Sequence, residues 1–244
     1  MIGLAAAGWG AFAASSLVIG ALIALIRPVD RKALGLTMAF GSGVLLSSVA
    51  YELVEEAVAV GGQLPMAAGL ALGSIVFYTG DRLIDRLGAA GMGSVKGPAT
   101  PDSGLAIVLG AALDGIPESI VLGLTVSSGN GIGLAFIVAV FLSNLPEGIA
   151  GTAGLLAGGW ARARIIGLWL IVVAAAAGAA FVGATVLAGG RGEVQAFILG
   201  FAGGAILTML ADTLIPEAFE HAGKAAGLLT TLGFGLAFAL SLLD

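Results

Sequence analysis

Three carboxylates stand where an apolar chain would not place them. Asp114 and Glu118 lie in "LDGIPESIVLG", residues 113–123, and Glu147 lies in "SNLPEGIAG", residues 143–151. Asp114 and Glu118 are one helical turn apart, as are Ser143 and Glu147, so each pair projects from one helix face, with Asn144 on the side of Glu147. Pro117 has no N–H for the carbonyl of Leu113, and Pro146 has none for that of Leu142. Carbonyls freed inside a membrane need water, protein or an ion as partner. An ionised side chain near the bilayer centre costs roughly 2.5–3.5 kcal/mol on insertion scales, and no basic residue lies in the middle of any apolar stretch. The missing counter-charge is most simply a cation that comes and goes. Facing each other, the two segments would offer three carboxylates, an amide, a hydroxyl and bent backbone. Such oxygen ligands suit a divalent cation and leave its identity open. The competing reading, two ordinary proline kinks with protonated structural acids, explains either segment alone better than it explains both together.

The elements that must hold these groups follow from composition. Of 244 residues, 59% are hydrophobic and only 10% charged, with 41 glycines and a mean hydropathy of +1.09. That is the composition of a polytopic membrane protein. Apolar stretches long enough to cross the hydrocarbon core fall at about 4–26, 33–58, 64–84, 105–126, 132–156, 165–188, 194–219 and 225–243. The expected fold is all-α and integral to the membrane, one transmembrane domain over 1–244 with eight helices. The first stretch lacks the basic lead of a signal peptide and is read as retained. Arg27, Arg31, Lys32, Arg82, Arg86, Lys96, Arg162, Arg164 and Lys224 all fall between odd and even spans, whereas the opposite loops hold Arg191 alone. The positive-inside rule then puts both termini outside the cytoplasm. Cysteine is absent, which excludes disulfides and thiolate ligands, and a net charge of −5 is no nucleic-acid signature.

The chain also repeats itself. "FGSGVLLSSVAYELVEEA" from Phe40 aligns without a gap with "FAGGAILTMLADTLIPEA" from Phe201, pairing Gly43 with Gly204 and Glu56 with Glu217. Pro117-Glu118 aligns with Pro146-Glu147. Each match joins an even to an odd span, so the repeats are inverted and the helices group as three, two and three. Inverted repeats with interrupted helices between them point to a secondary transporter with its site near the midplane.

At these residues the chain resembles the Zrt/Irt-like (ZIP) family of divalent metal transporters. That family resembles this chain in its 3+2+3 helices and in His-Asn-x-Pro-Glu and Ser/His-Asn-x-Pro-Glu-Gly motifs on the fourth and fifth. Here the motifs read Asp114-Gly115-Ile116-Pro117-Glu118 and Ser143-Asn144-Leu145-Pro146-Glu147-Gly148, and the resemblance extends to "PEA" at 216–218. It implies Glu118 and Glu147 as bridging metal ligands, Asp114 in the place of a histidine, and Ser143 and Asn144 as flanking ligands. Glu52 and Asp212 take entrance and exit roles, helices one, four, five and six form the mobile group, and the assembly is a homodimer. The departures are Asp114 and Gly115 for His and Asn, no acid in the sixth span, and no histidine run in 87–103. Loss of imidazole shifts the expected cargo from strict zinc toward manganese, iron or a broader range that includes cadmium.

The expected function is movement of a divalent metal into the cytoplasm by alternating access, in the plasma (inner) membrane, with no cofactor beyond the transported ion. Its partners are that ion, the bilayer and a second copy of the chain, not nucleic acid. A proton-coupled permease for another solute and a nontransporting metal sensor are the alternatives. No nucleophile has a base beside it in any span, so an enzyme is not expected. His221, the only histidine, and Glu55 and Glu56 read as wetted helix ends. Asp81 and Asp85, alternating with Arg82 and Arg86, read as surface ion pairs.

Overall fold

A computed structural model of the protein describes residues 1–86, 103–128 and 134–242, with residues 85, 86 and 103–108 described by backbone alone. The expected span ends at 132, 133 and 243, and Lys96 in the loop before the fourth span, lie outside the described residues. The described residues form eight helical rods and no strand. They are α1 (Ile2–Ile26), α2 (Arg31–Gly61), α3 (Gln63–Arg86), α4 (Ser103–Ser128), α5 (Leu134–Ala157), α6 (Arg162–Leu187), α7 (Gly192–Ala222) and α8 (Ala225–Ser241). Six are long and apolar enough to cross a membrane, which makes the chain an integral membrane protein. The other two are α3, which ends in Asp81, Arg82, Asp85 and Arg86, and α8, which is 17 residues long. Both expose large apolar side chains, among them Leu64, Leu72 and Ile75 on α3 and Leu228, Leu232 and Leu236 on α8.

Local chemistry sets the boundaries. Pro28 cannot continue α1, and the Asp30 carboxylate accepts the Ala33 N–H at 3.0 Å to start α2. Gly62 and Gly223, with φ of 90° and 59°, turn the chain out of α2 and α7 through a conformation that other residues rarely adopt. Three rods contain a π turn: Val49–Val54 in α2, Gly183–Leu187 in α6 and Leu210–Leu214 in α7. In α7 the cause is visible, because Pro216 withholds the N–H that the Asp212 carbonyl would receive. α2 widens at the aligned place without a proline.

Packing crosses between the first and last thirds of the chain. α3 lies along α7 and α8 along α2; α1 packs on α5 and α6, and α6 on α4. With lipid as apolar as the side chains, close helix approach must come from small residues. A Cβ added at Gly43 would overlap the Thr230 carbonyl oxygen, and one at Gly233 that of Phe40. In the other pair of helices, Gly204 meets the Leu70 carbonyl and Gly73 that of Phe201. The aligned residues Phe40 with Phe201 and Gly43 with Gly204 thus make the same backbone contact in two places.

Because backbone rather than a side-chain tip fills these sites, Gly43→Ala and Gly204→Ala must force the helices apart. Each is expected to lower stability by about 1–3 kcal/mol, read as a drop in thermal unfolding temperature in detergent. Gly235→Ala, where an added Cβ meets nothing within 4 Å, is expected to be neutral or stabilising by up to about 1 kcal/mol. Equal losses at all three positions would show that close approach is not what these glycines provide.

Candidate functional site

α4 and α5 carry their prolines, Pro117 and Pro146, inside continuous helix, so the Leu113 and Leu142 carbonyls lose their usual donor. Around these points the side chains turn inward. Glu118 is 1% exposed, Ser143 1%, Asn144 4% and Glu147 6%; Asp114 is half-buried. Glu118 Oε2 is fully buried with no hydrogen-bond partner. Leaving one buried acceptor unmet costs about 1–3 kcal/mol, more when it is charged. Ser143 gives its proton to the Val140 carbonyl at 3.1 Å, which leaves the hydroxyl oxygen's lone pairs for another partner.

The acids stand in one electrostatic neighbourhood. Asp114 acts on Glu118, and Asp114, Glu118 and Glu217 all act on Glu147. Asp81 of α3 acts in turn on Asp114. They are not drawn into a closed cage: among the described residues no three His, Cys, Asp or Glu side chains are close enough to hold a metal ion by themselves. Further ligand atoms would have to come from Ser143, Asn144 or the freed carbonyls.

Neighbouring helices fix the two proline-bearing segments by backbone contact. α1 crosses α5 beside Pro146, where Gly148 meets the Leu17 carbonyl and Gly20 that of Leu145. α6 crosses α4 beyond Glu118, where Gly183 meets the Ile120 carbonyl and Gly123 that of Ala180. Trp169 of α6 donates its indole N–H to the Thr152 hydroxyl of α5 at 2.8 Å, in a buried position. Gly41 of α2 faces Ser143, and a Cβ there would lie 3.4 Å from the Leu142 carbonyl oxygen freed by Pro146.

The other singled-out residues separate. Glu52 is half-buried in the α2 π turn and accepts from Ser48 Oγ at 3.2 Å. Asp212 is exposed in the α7 π turn. The α7 carboxylate acting on Glu147 is Glu217, with Oε2 buried. Its signal was present in the sequence, since Pro216-Glu217 is a third Pro-Glu pair and aligns with Glu56. Asp81, read as a surface residue, is half-buried and turned electrostatically to Asp114, while Arg82 sits over the Tyr78 ring at 4.6 Å. The side chain of Asp85 lies outside the described residues. His221 is half-buried, with its Cβ facing Gly35 of α2; Glu55 is exposed and Glu56 half-buried.

A buried carboxylate oxygen without a donor destabilises the metal-free fold. Glu118→Leu is therefore expected to stabilise the protein in chelator by about 1–4 kcal/mol, seen as a higher unfolding temperature, although it removes the acid most central to the site. A loss of stability would mean that Glu118 is satisfied within the fold.

No protein-family model matches the chain. Over 212 residues the chain is 24% identical to an Arabidopsis thaliana protein described as a "Putative zinc transporter". The match covers 86% of this chain and 34% of that protein, so the chain spans about a third of the length of its curated relative.

Proposed function

We propose that this chain is a divalent metal transporter of the ZIP type, which carries zinc, manganese, iron or cadmium into the cytoplasm through a site between α4 and α5. The observation that carries the reading is the buried, unpartnered carboxylate oxygen of Glu118 beside the acids Glu147 and Asp114. A cluster of buried acids with no basic partner among the described residues is relieved by protonation or by a cation, and one bound cation can serve several of them at once. In this reading Glu118 and Glu147 bridge the ion and Asp114 replaces an imidazole. Ser143, Asn144 and the freed carbonyls complete an oxygen shell. Glu52 lies on the outer approach, and Glu217, Asp81 and Asp212 on the way to the basic end. The relative described as a zinc transporter supports the class of cargo.

Packing supports the mechanism. α1, α4, α5 and α6 hold together through the Gly20–Gly148 and Gly123–Gly183 crossings, and α2, α3, α7 and α8 through those of Gly43, Gly233, Gly73 and Gly204. The repeated contacts at Phe40 and Phe201 fit an inverted 3+2+3 repeat of eight spans, with α3 and α8 as the outermost pair. Movement of one group against the other would expose the site to each side in turn. Both termini outside the cytoplasm and a homodimer in the plasma membrane complete the proposal.

In proteoliposomes the unaltered protein is expected to show saturable metal uptake. Glu118→Ala and Glu147→Ala, each removing a ligand, should reduce it more than about a hundredfold. Uptake of a solute driven by a proton gradient, with no metal moved, would assign the carboxylates to a proton relay instead; metal binding without flux would favour a sensor.

Ligand chemistry gives a further expectation. An added Cβ at Gly115 meets nothing within 4 Å, so Asp114→His with Gly115→Asn should fold. Imidazole favours zinc over manganese, and the paired substitution is expected to raise the ratio of zinc to manganese uptake about tenfold, the step that roughly 1.4 kcal/mol of ligand preference produces. An unchanged ratio in competition uptake would remove Asp114 from the coordination shell.

A further inference from the structure

A cavity of about 450 Å³ opens between α1, α2, α5 and α6, and its charge is opposite to that of the metal site. Arg27, Arg31 and Arg162 line it, with apolar walls that include Ile26, Ala150 and Leu156. None of the three arginines has a carboxylate partner among the described residues. Arg164 and Arg82, by contrast, rest on the rings of Trp160 and Tyr78 at 4.0 and 4.6 Å. The positive-inside rule accounts for arginines on this side of the chain; it does not account for three of them converging on one cavity.

Three guanidinium groups repel a divalent cation, so the cavity is not where the cargo would rest. They present forked donors that match phosphate oxygens. The wall beside them is apolar, and Ile26 at its rim is 82% exposed, so the pocket opens past an uncovered apolar side chain at the end of α1. A soluble anion would leave that apolar wall uncovered, whereas a phospholipid would fill it with the start of its acyl chains. We propose that the cavity binds the headgroup of an anionic phospholipid.

Its place gives the occupant a consequence. α2 supplies Arg31 from one helix group, and α1 and α6 supply Arg27 and Arg162 from the other. Ile149 and Ala150 of the wall follow Glu147 within one turn. A headgroup held by arginines from both groups would favour the arrangement that brings them together. Binding itself does not depend on the transport reading, and its test needs no flux.

Purified protein would be incubated with mixed micelles of phosphatidylglycerol and phosphatidylcholine, and retained lipid counted by native mass spectrometry. Preferential retention of phosphatidylglycerol is expected. A juxtamembrane arginine contributes roughly fivefold to anionic-lipid binding, so Arg162→Gln should weaken retention about fivefold and the triple variant R27Q/R31Q/R162Q about a hundredfold. The variant K32Q/R164Q/K224Q, with the same net charge but none of its changes in the cavity, should retain lipid as the unaltered protein does. Equal retention of both lipids, full retention by the triple variant, or equal loss in the control variant would overturn the proposal. So would displacement of the lipid by millimolar inorganic phosphate, which would make the site one for free anions.

Discussion

Acid side chains buried without a basic partner among the described residues are the constraint from which the rest of the structure follows. Water would solvate Glu118 and Glu147 at little cost, but an apolar interior will not, and their exposures of 1% and 6% leave them almost no water. A fold that keeps such groups must hold them by strong packing elsewhere and must leave them protonated or open to a cation. The packing is present. The proline-bearing segments of α4 and α5 are clamped by α6 and α1 through glycine contacts that reach backbone, and the acids share one electrostatic neighbourhood.

The same glycines that permit close approach also sort the helices. Contacts at Gly43, Gly233, Gly73 and Gly204 lock α2 to α8 and α3 to α7, while Gly20, Gly148, Gly123 and Gly183 lock α1 to α5 and α4 to α6. Between the two sets, α2 meets α5 at Gly41 and Ser143 without overlap, at 3.3 Å from an added Cβ to the Ser143 Cα. Contact at this seam is tight but falls short of the backbone overlap on either side, and the candidate site lies against it.

Much of this was legible because membrane helices are long, apolar and bounded by charge or proline, so rods such as α1 and α5 follow from hydropathy and turn residues alone. Pro117 and Pro146 marked the centre of the candidate site because a Pro-Glu pair is hard to explain in lipid. Side-chain direction was less legible. Asp212 and Glu217 lie on the same rod, and the π turn before Glu217 shifts helical phase in a way that a fixed period of 3.6 residues does not anticipate. Asp81 was hidden by its neighbours, because alternating Asp and Arg looks like a wetted surface until α3 is seen to bring Asp81 to Asp114. The arginine cavity needed three rods in place, since Arg162 is far along the chain from Arg27 and Arg31.

X-ray absorption at the metal edge of protein loaded with manganese, then with zinc, tests the central claim most directly. The account predicts a first shell made of oxygen alone, near 2.0–2.2 Å for zinc, that is absent in Glu118→Ala and Glu147→Ala. A shell containing nitrogen from imidazole would place the ion at His221, and bound metal that persists in both variants would show that the α4–α5 carboxylates are not its ligands.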